Sequence, residues 1–306
     1  MDVPDLTLRP QLLAAGYSDD ELRRLVRAGL LTPVRRGIYV QGAVPADVLA
    51  RHLLHVRAAM GELAGDAVVS HVSAAVLHGL PIWAIRLDRV HVTRPLRGGG
   101  RRGALVHVHP APLDPDEVVV IAGLRVTSLA RTVADLARTL PFEQGVVLAD
   151  AATFHKRRDR IQKADLQTVL DRAPRRPGTR AARRAIDFSD GLSESVGESR
   201  SRAAIAAARL PPPVLQWAVH SAATGAFIGR VDFGWPGLGT VGEFDGLVKY
   251  GRMLRPGQDI AEVLVAEKLR EDALRADDLG VVRWIWSDLG NFGPVARRLR
   301  SRFRPT

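Results

Sequence analysis

Three carboxylates stand close together in the stretch Arg230–Lys249, RVDFGWPGLGTVGEFDGLVK: Asp232, Glu243 and Asp245. The stretch reads as two strands joined by a turn at Pro236-Gly237, a strong breaker pair. Glu243 and Asp245 are two residues apart, so strand alternation points both carboxylates the same way. Asp232 lies on the neighbouring strand, placed to join them. Like charges gathered in one site repel, and a proton or a cation must relieve them. A hard divalent cation such as Mg²⁺ takes oxygen ligands of this kind. The other reading is that these are turn acids facing solvent.

A second constellation is cationic. Residues 8–41 read as a compact unit. A short helix, Leu8–Ala15, is stopped by Gly16. Ser18 with Glu21 makes a capping box for a second helix, Asp19–Ala28. Leu22, Leu25 and Val26 form its apolar face, and Arg23, Arg24 and Arg27 lie away from it. Leu31–Val34 and Gly37–Val40 then read as a hairpin around Arg35 and Arg36. Two helices and a basic hairpin are the parts of a winged helix-turn-helix. There the second helix enters the DNA major groove and the hairpin touches the backbone. A helical hairpin with a solvated arginine face is the alternative.

Whole-chain composition bears on that choice. The 306 residues carry a formal charge of +11 and a pI near 11.0. This favours an anionic partner, nucleic acid or a membrane surface. No apolar stretch approaches the ~20 residues that span a bilayer. The start, MDVPDLTLRP, has acids and no apolar run, so it does not read as a signal peptide. Without cysteine, disulfides, thiolate chemistry and Cys-ligated zinc are excluded. A cytoplasmic protein without a membrane role is expected.

The elements behind these residues fall into four segments. Residues 1–45 are the winged helix-turn-helix unit. Residues 46–155 are an α/β middle domain. Its helices are 46–63, 70–78, one capped at Thr127 or Ser128, and 142–154. Its strands are 89–93, 104–109 and 117–126. Residues 156–189 are a basic helical linker, and in 156–184 eleven basic residues face three acids. Pro174, Pro177 and Gly178 mark it as a hinge, with phosphate contact and plain solvation both open. Residues 190–306 follow the order α-β-β-β-α-β. Its first helix carries Glu194, Glu198 and Arg202, and a helix over 261–279 carries Glu267, Lys268 and Glu271. The fold class is therefore mixed α/β (α+β).

Other motifs carry less. His107 and His109 share a strand face, but two histidines without a third ligand read as surface residues. The Gly98–Gly100 run lacks the G-K-[ST] of a P-loop. Trp284 and Trp286 are assigned to core or sheet face, with base stacking as the alternative.

Two resemblances can now be stated. The rear segment, with VDF, EFDG, an E-K-x-R-E-D helix and a Trp-rich strand, resembles the PD-(D/E)xK nucleases, closest to the very-short-patch mismatch repair branch. That resemblance implies a restriction-endonuclease-like domain and Mg²⁺-assisted phosphodiester hydrolysis. Asp232, Glu243 and Glu198 would hold the metal, with Asp245 beside them. Asp245 stands where the motif's usual lysine would be, and the branch's histidine after D-G is absent, leaving Lys249 or Lys268 as the cationic group. The front segment resembles the AbiEi antitoxins of type IV toxin–antitoxin systems. The matching residues are the unit ending RRGIYV, then SHVSAAVLHGLP, then RVTSLARTVADLAR. This resemblance implies a DNA-binding autoregulator that antagonises a cognate nucleotidyltransferase toxin. The first expectation is thus an AbiEi-like DNA-binding regulator with a nuclease-like rear domain. The alternative is an active Mg²⁺-dependent endonuclease.

Overall fold

A computed structural model describes residues 4–63, 65–95, 101–246, 268–270 and 272–304. The chain is mixed α/β and divides into two compact units. The first comprises residues 1–148 and 161–187, the second 149–160 and 188–306.

The first unit opens with β1 (Thr7–Leu8), α1 (Arg9–Ala14), α2 (Asp19–Arg27), β2 (Leu31–Arg35) and β3 (Ile38–Gln41). The strands form an antiparallel sheet in the order β1-β3-β2. Local chemistry sets the boundaries. Ser18 Oγ accepts the Glu21 N–H, and the Glu21 carboxylate accepts the Ser18 N–H at 2.7 Å, a reciprocal capping box. Gly29, at φ +71°, ends α2, where the Leu30 N–H reaches the Leu25 carbonyl at 3.0 Å. This is a Schellman ending, which needs the left-handed backbone that glycine accepts readily. Arg9 grips Asp19 through Nε and Nη2 at 2.9 and 2.6 Å and ties α1 to α2.

Helix α3 (Val48–Glu62) serves two cores. Leu54 and Ala58 pack with Val34, Ile38 and Val40 of the hairpin. Val56 and Ala59 pack with Val69, Val90, Val92 and Val126 of a second sheet. That sheet is six-stranded and mixed. Its strands are β4 (Val68–Val69), β5 (Val90–Arg94), β6 (Arg101–Arg102), β7 (Val106–Pro110), β8 (Val118–Ile121) and β9 (Leu124–Thr127), in the order β6-β7-β5-β4-β9-β8. The stretch 117–126, expected as one strand, is a hairpin. Ala122 and Gly123 turn it at φ +48° and +76°. An alanine is a rare occupant of that conformation, so Gly123 was the one residue-type signal of the turn.

Helices α4 (His71–Leu77), α5 (Leu129–Thr139) and α6 (Phe142–Thr153) follow in this part of the chain. The segment expected as linker corrects that reading. Its helices α7 (Lys163–Arg172) and α8 (Thr179–Phe188) fall largely within the first unit. Their buried apolar side chains, Leu166, Leu170, Ala182 and Ile186, hold them there, and ion pairs add to this. Arg172 pairs with Asp116 at 2.7 Å, and Arg176 lies 3.6 Å from Asp135 of α5. The apparent hinge is a close approach. Gly178 sits at φ +80°, and a Cβ there would collide with the Arg138 carbonyl.

The second unit carries α9 (Val196–Ala207), β10 (Val214–His220), β11 (Phe227–Trp235), β12 (Thr240–Asp245), β13 (Gly280–Ile285) and α10 (Gly293–Arg302). Residues 272–276, before β13, are helical. The sheet order is β10-β11-β12-β13, antiparallel except for the parallel β12–β13 pair. Phe233, Trp235, Phe244, Trp284, Phe292 and Leu299 form its main core. The Trp284 ring is 1% exposed and donates Nε1–H to Ser201 Oγ at 2.8 Å, so it is a core residue. Ser201 in turn donates to the Gly197 carbonyl. The rest of the helix expected over 261–279 lies mainly outside the described residues.

Gly178→Ala combines strain at positive φ with a backbone clash, so it should destabilise the first unit by about 3 kcal/mol. Urea unfolding measures this. Gly16→Ala, at φ +95° with no atom within 4 Å of the added carbon, isolates the strain component and should cost less.

Candidate nucleic-acid interface and ionisable clusters

The arginines expected at DNA divide into two groups. Arg23, Arg24 and Arg27 project from α2 into solvent. Leu22, at 3% exposed, is buried beneath them. Arg23 pairs with Asp20 at 2.9 Å, and Arg24 lies 3.9 Å from Glu21. Exposed pairs of this kind are worth little and exchange readily for phosphate. The acids of α2 crowd its first turn, where the helix dipole favours them. Asp19 is held by Arg9, and Glu21 is used by the cap. The cationic surface therefore lies on the later turns.

The two hairpin arginines behave differently. Arg36, at the turn, is exposed. Arg35 is drawn back to Glu62 of α3 at 2.7 Å, with its side chain 16% exposed. Arg35 is the last residue of β2 and Arg36 the first of the turn, so the two leave the sheet differently.

The carboxylates expected to hold Mg²⁺ are matched by protein donors. Glu243, in β12, receives Arg270 at 2.7 Å on Oε1 and Arg283 at 2.9 Å on Oε2. Asp232, in β11, accepts the Phe244 N–H at 2.9 Å on Oδ2. That bond comes just past Phe233↔Gly242, where the β11–β12 ladder stops. Glu198, buried at the start of α9, accepts from the Glu194 N–H, Ser195 Oγ and Gln216 Nε2 at 2.9, 2.8 and 2.8 Å. Burial, and then the charge of Asp232, push the Glu198 carboxyl above its usual range. Asp245 is half-buried at the end of β12. Lys249 lies outside the described residues, and Lys268 is exposed. A cation site needs oxygens left over for the ion, and two guanidiniums already hold both oxygens of Glu243. As arranged, Glu243 would have to share its oxygens between these guanidiniums and an ion.

The histidines correct an expectation. His107 and His109 are half-buried in β7, and further imidazoles come from elsewhere in the chain. His91 lies opposite His107 in the parallel β5–β7 pair. His71, the first residue of α4, stacks on His109 with centroids 3.6 Å apart and planes at 15°. His109 Nε2 lies 3.0 Å from His91 Nδ1. Burial first, then the neighbouring imidazoles, depress His71 well below the ordinary range and His109 to about 2. Sequence spacing could not find this cluster, because its members lie 16 to 20 residues apart apart from the 107/109 pair. Its one visible trace was the alternation of that pair.

His52, in α3, is buried as well. Its Nε2 lies 2.9 Å from Ser73 Oγ, which also accepts the His91 backbone N–H. Burial depresses it to about 4.

Comparison with known proteins adds three findings. Residues 8–40 match the family described as the transcriptional regulator AbiEi antitoxin. Two curated relatives are uncharacterized proteins of Mycobacterium tuberculosis, MT2308 of strain CDC 1551 and Rv2248 of strain H37Rv. Each is 29% identical over 223 residues, spanning 72% of this chain and 76% of the relative. Among solved structures, the crystal structure of the RV2827C protein from Mycobacterium tuberculosis aligns with a TM-score of 0.43 and 16% identity. The alignment covers 73% of this chain and 86% of that one. Among the described residues, no helix is long and apolar enough to cross a membrane.

Three outcomes follow. Glu243→Gln removes the negative charge that two guanidiniums share and should cost about 1–2 kcal/mol, measured by urea unfolding. Millimolar Mg²⁺ should leave the melting temperature of the wild-type chain unchanged. For His52 the unfolded chain binds the proton more tightly, its value lying near 6.5 against about 4 when folded. Stability should therefore fall as pH drops from about 6.5 to about 4. Melting temperatures across that range, compared with His52→Gln, check this; the variant should show a shallower fall.

Proposed function

We propose that this chain is a DNA-binding regulator of the AbiEi antitoxin type, with residues 8–41 as its DNA-contacting module. The observation that carries the reading is the build of α2. It is capped at both ends and buried on its Leu22 side, and it presents Arg23, Arg24 and Arg27 outward. The match over residues 8–40 supports the same module. In this reading α2 lies in the major groove with its later turns nearest the phosphates. Arg36 meets the backbone from the hairpin turn. Arg35 acts through Glu62, holding the hairpin against α3.

Mechanistically, each arginine that neutralises a phosphate releases condensed counterions, so affinity falls steeply with salt. Phosphate contacts of this kind position the protein on DNA, and base contacts must supply the sequence preference. An antitoxin of this type implies a toxin partner, and the nucleotidyltransferase class is the one proposed here. Co-purification of this chain with the product of an adjacent nucleotidyltransferase gene tests that partner.

The DNA reading is tested by measuring binding to the chain's own upstream region across a salt series. Replacing Arg23, Arg24 and Arg27 together by Ala should lower the log–log salt slope by about 2 to 3. Arg36→Ala should lower it by about 1. Arg35→Ala should change thermal stability more than the slope. An unchanged slope in the triple variant would overturn the assignment of α2.

A further inference from the structure

We propose that His71, His91 and His109 form a binding site for a first-row divalent cation such as Zn²⁺. Each offers one ring nitrogen, and these three atoms lie within 4.8 Å of one another. The donors come from three elements of one unit: the start of α4, β5 and β7. Register makes the arrangement specific. In the parallel β5–β7 pair, His91 lies opposite His107 and Thr93 opposite His109, so His91 and His109 share a sheet face. The α4 terminus brings His71 over that face, stacked on His109.

Chemistry favours a cation here. Imidazole nitrogen suits Zn²⁺, bound at about 2.0–2.1 Å, and three histidines with an open fourth position is a known zinc arrangement. In tetrahedral geometry the ligand nitrogens stand about 3.3 Å apart. His91 Nδ1 and His109 Nε2 are already at 3.0 Å, and the His71 ring, stacked on His109, must turn so that its lone pair meets theirs. That contact now needs a proton on one of the two nitrogens. A bound cation takes the place of that proton, which moves to the far nitrogen of the ring or to solvent. Ser70 Oγ lies 3.0 Å from Nδ1 of His71, which leaves Nε2 to face the cluster. Such a partner fixes ring orientation around a metal.

The surroundings supply an entrance. The three imidazoles line a cleft of ≈ 520 Å³ with His107, Arg86, Arg89 and Gln144 on its wall. The fourth coordination position would face that space and hold water or an anion.

The test uses the untagged, full-length chain after chelator stripping, titrated with Zn²⁺ against a chromophoric chelator. One equivalent per chain should bind. His91→Ala and His109→Ala should each weaken it at least 100-fold, and Ser70→Ala about 10-fold. His155→Ala, in the other unit, should bind as wild type. Circular dichroism shows whether the variants fold. If they do not, Co²⁺ added to the wild-type chain decides. Visible bands of nitrogen-ligated, four- or five-coordinate Co²⁺ support the site, and their absence overturns it. The proposal also fails if the wild-type chain holds no Zn²⁺ against the chelator. It fails equally if folded His91→Ala and His109→Ala retain the equivalent.

Discussion

A guanidinium taken out of water must be met by carboxylates at bonding distance, and Arg131 imposes that condition on the first unit. Its Nη1 reaches Glu117 at 2.5 Å, and its Nε reaches Asp135 at 2.7 Å. Asp135 also holds Arg138 at 2.8 Å and lies near Arg176. The network joins the turn before β8, helix α5 and the segment leading to α8. Removing one member leaves a buried charge uncompensated, which costs far more than an exposed pair contributes. Burial of this kind discriminates among packings, since a shifted helix would strand an ion. Arg176 adds the basic segment after α6 to this network, beside the apolar burial of its helices.

Charge at the surface plays the opposite role. The arginines of α2 remain solvated, and their partners on the same helix are loosely paired. Little is lost when a phosphate replaces Asp20 or Glu21. The unit therefore separates its cations into two populations. Those locked inside by carboxylates specify the fold, and those left outside with weak partners are available to a polyanion. Arg35 and Arg36, adjacent in sequence, fall on either side of that division.

The same distinction decides between the acidic and imidazole clusters. A carboxylate already paired with cationic side chains is a poorer metal ligand, because the ion must compete with them. Arg270 and Arg283 reach Glu243. The imidazoles contact one another instead. Asp88 lines the same cleft but pairs with Arg86 at 3.4 Å, and Asp135 is occupied by arginines. Neutral nitrogen donors can crowd together as charged carboxylates cannot, so four rings share one face of β5 and β7.

Much of the local architecture was legible in the residues. The Ser18–Glu21 box and the Gly29 stop placed α2 within one residue. The Trp284 strand and the three strands after α9 were also readable from apolar spacing and breakers. Features set by neighbours close in the chain are written in short patterns, because caps, turns and amphipathic faces act over three to five residues. The turn at Ala122 escaped because alanine seldom adopts that conformation, so its residue type argued against a turn there. Arg131, Asp135 and Arg138 looked like the polar side of an amphipathic helix. Only packing turned them inward. Which arginine faces solvent, which acid is already neutralised, and which histidines meet were decided by tertiary structure. Each of those outcomes depends on groups that come together only after the chain has folded.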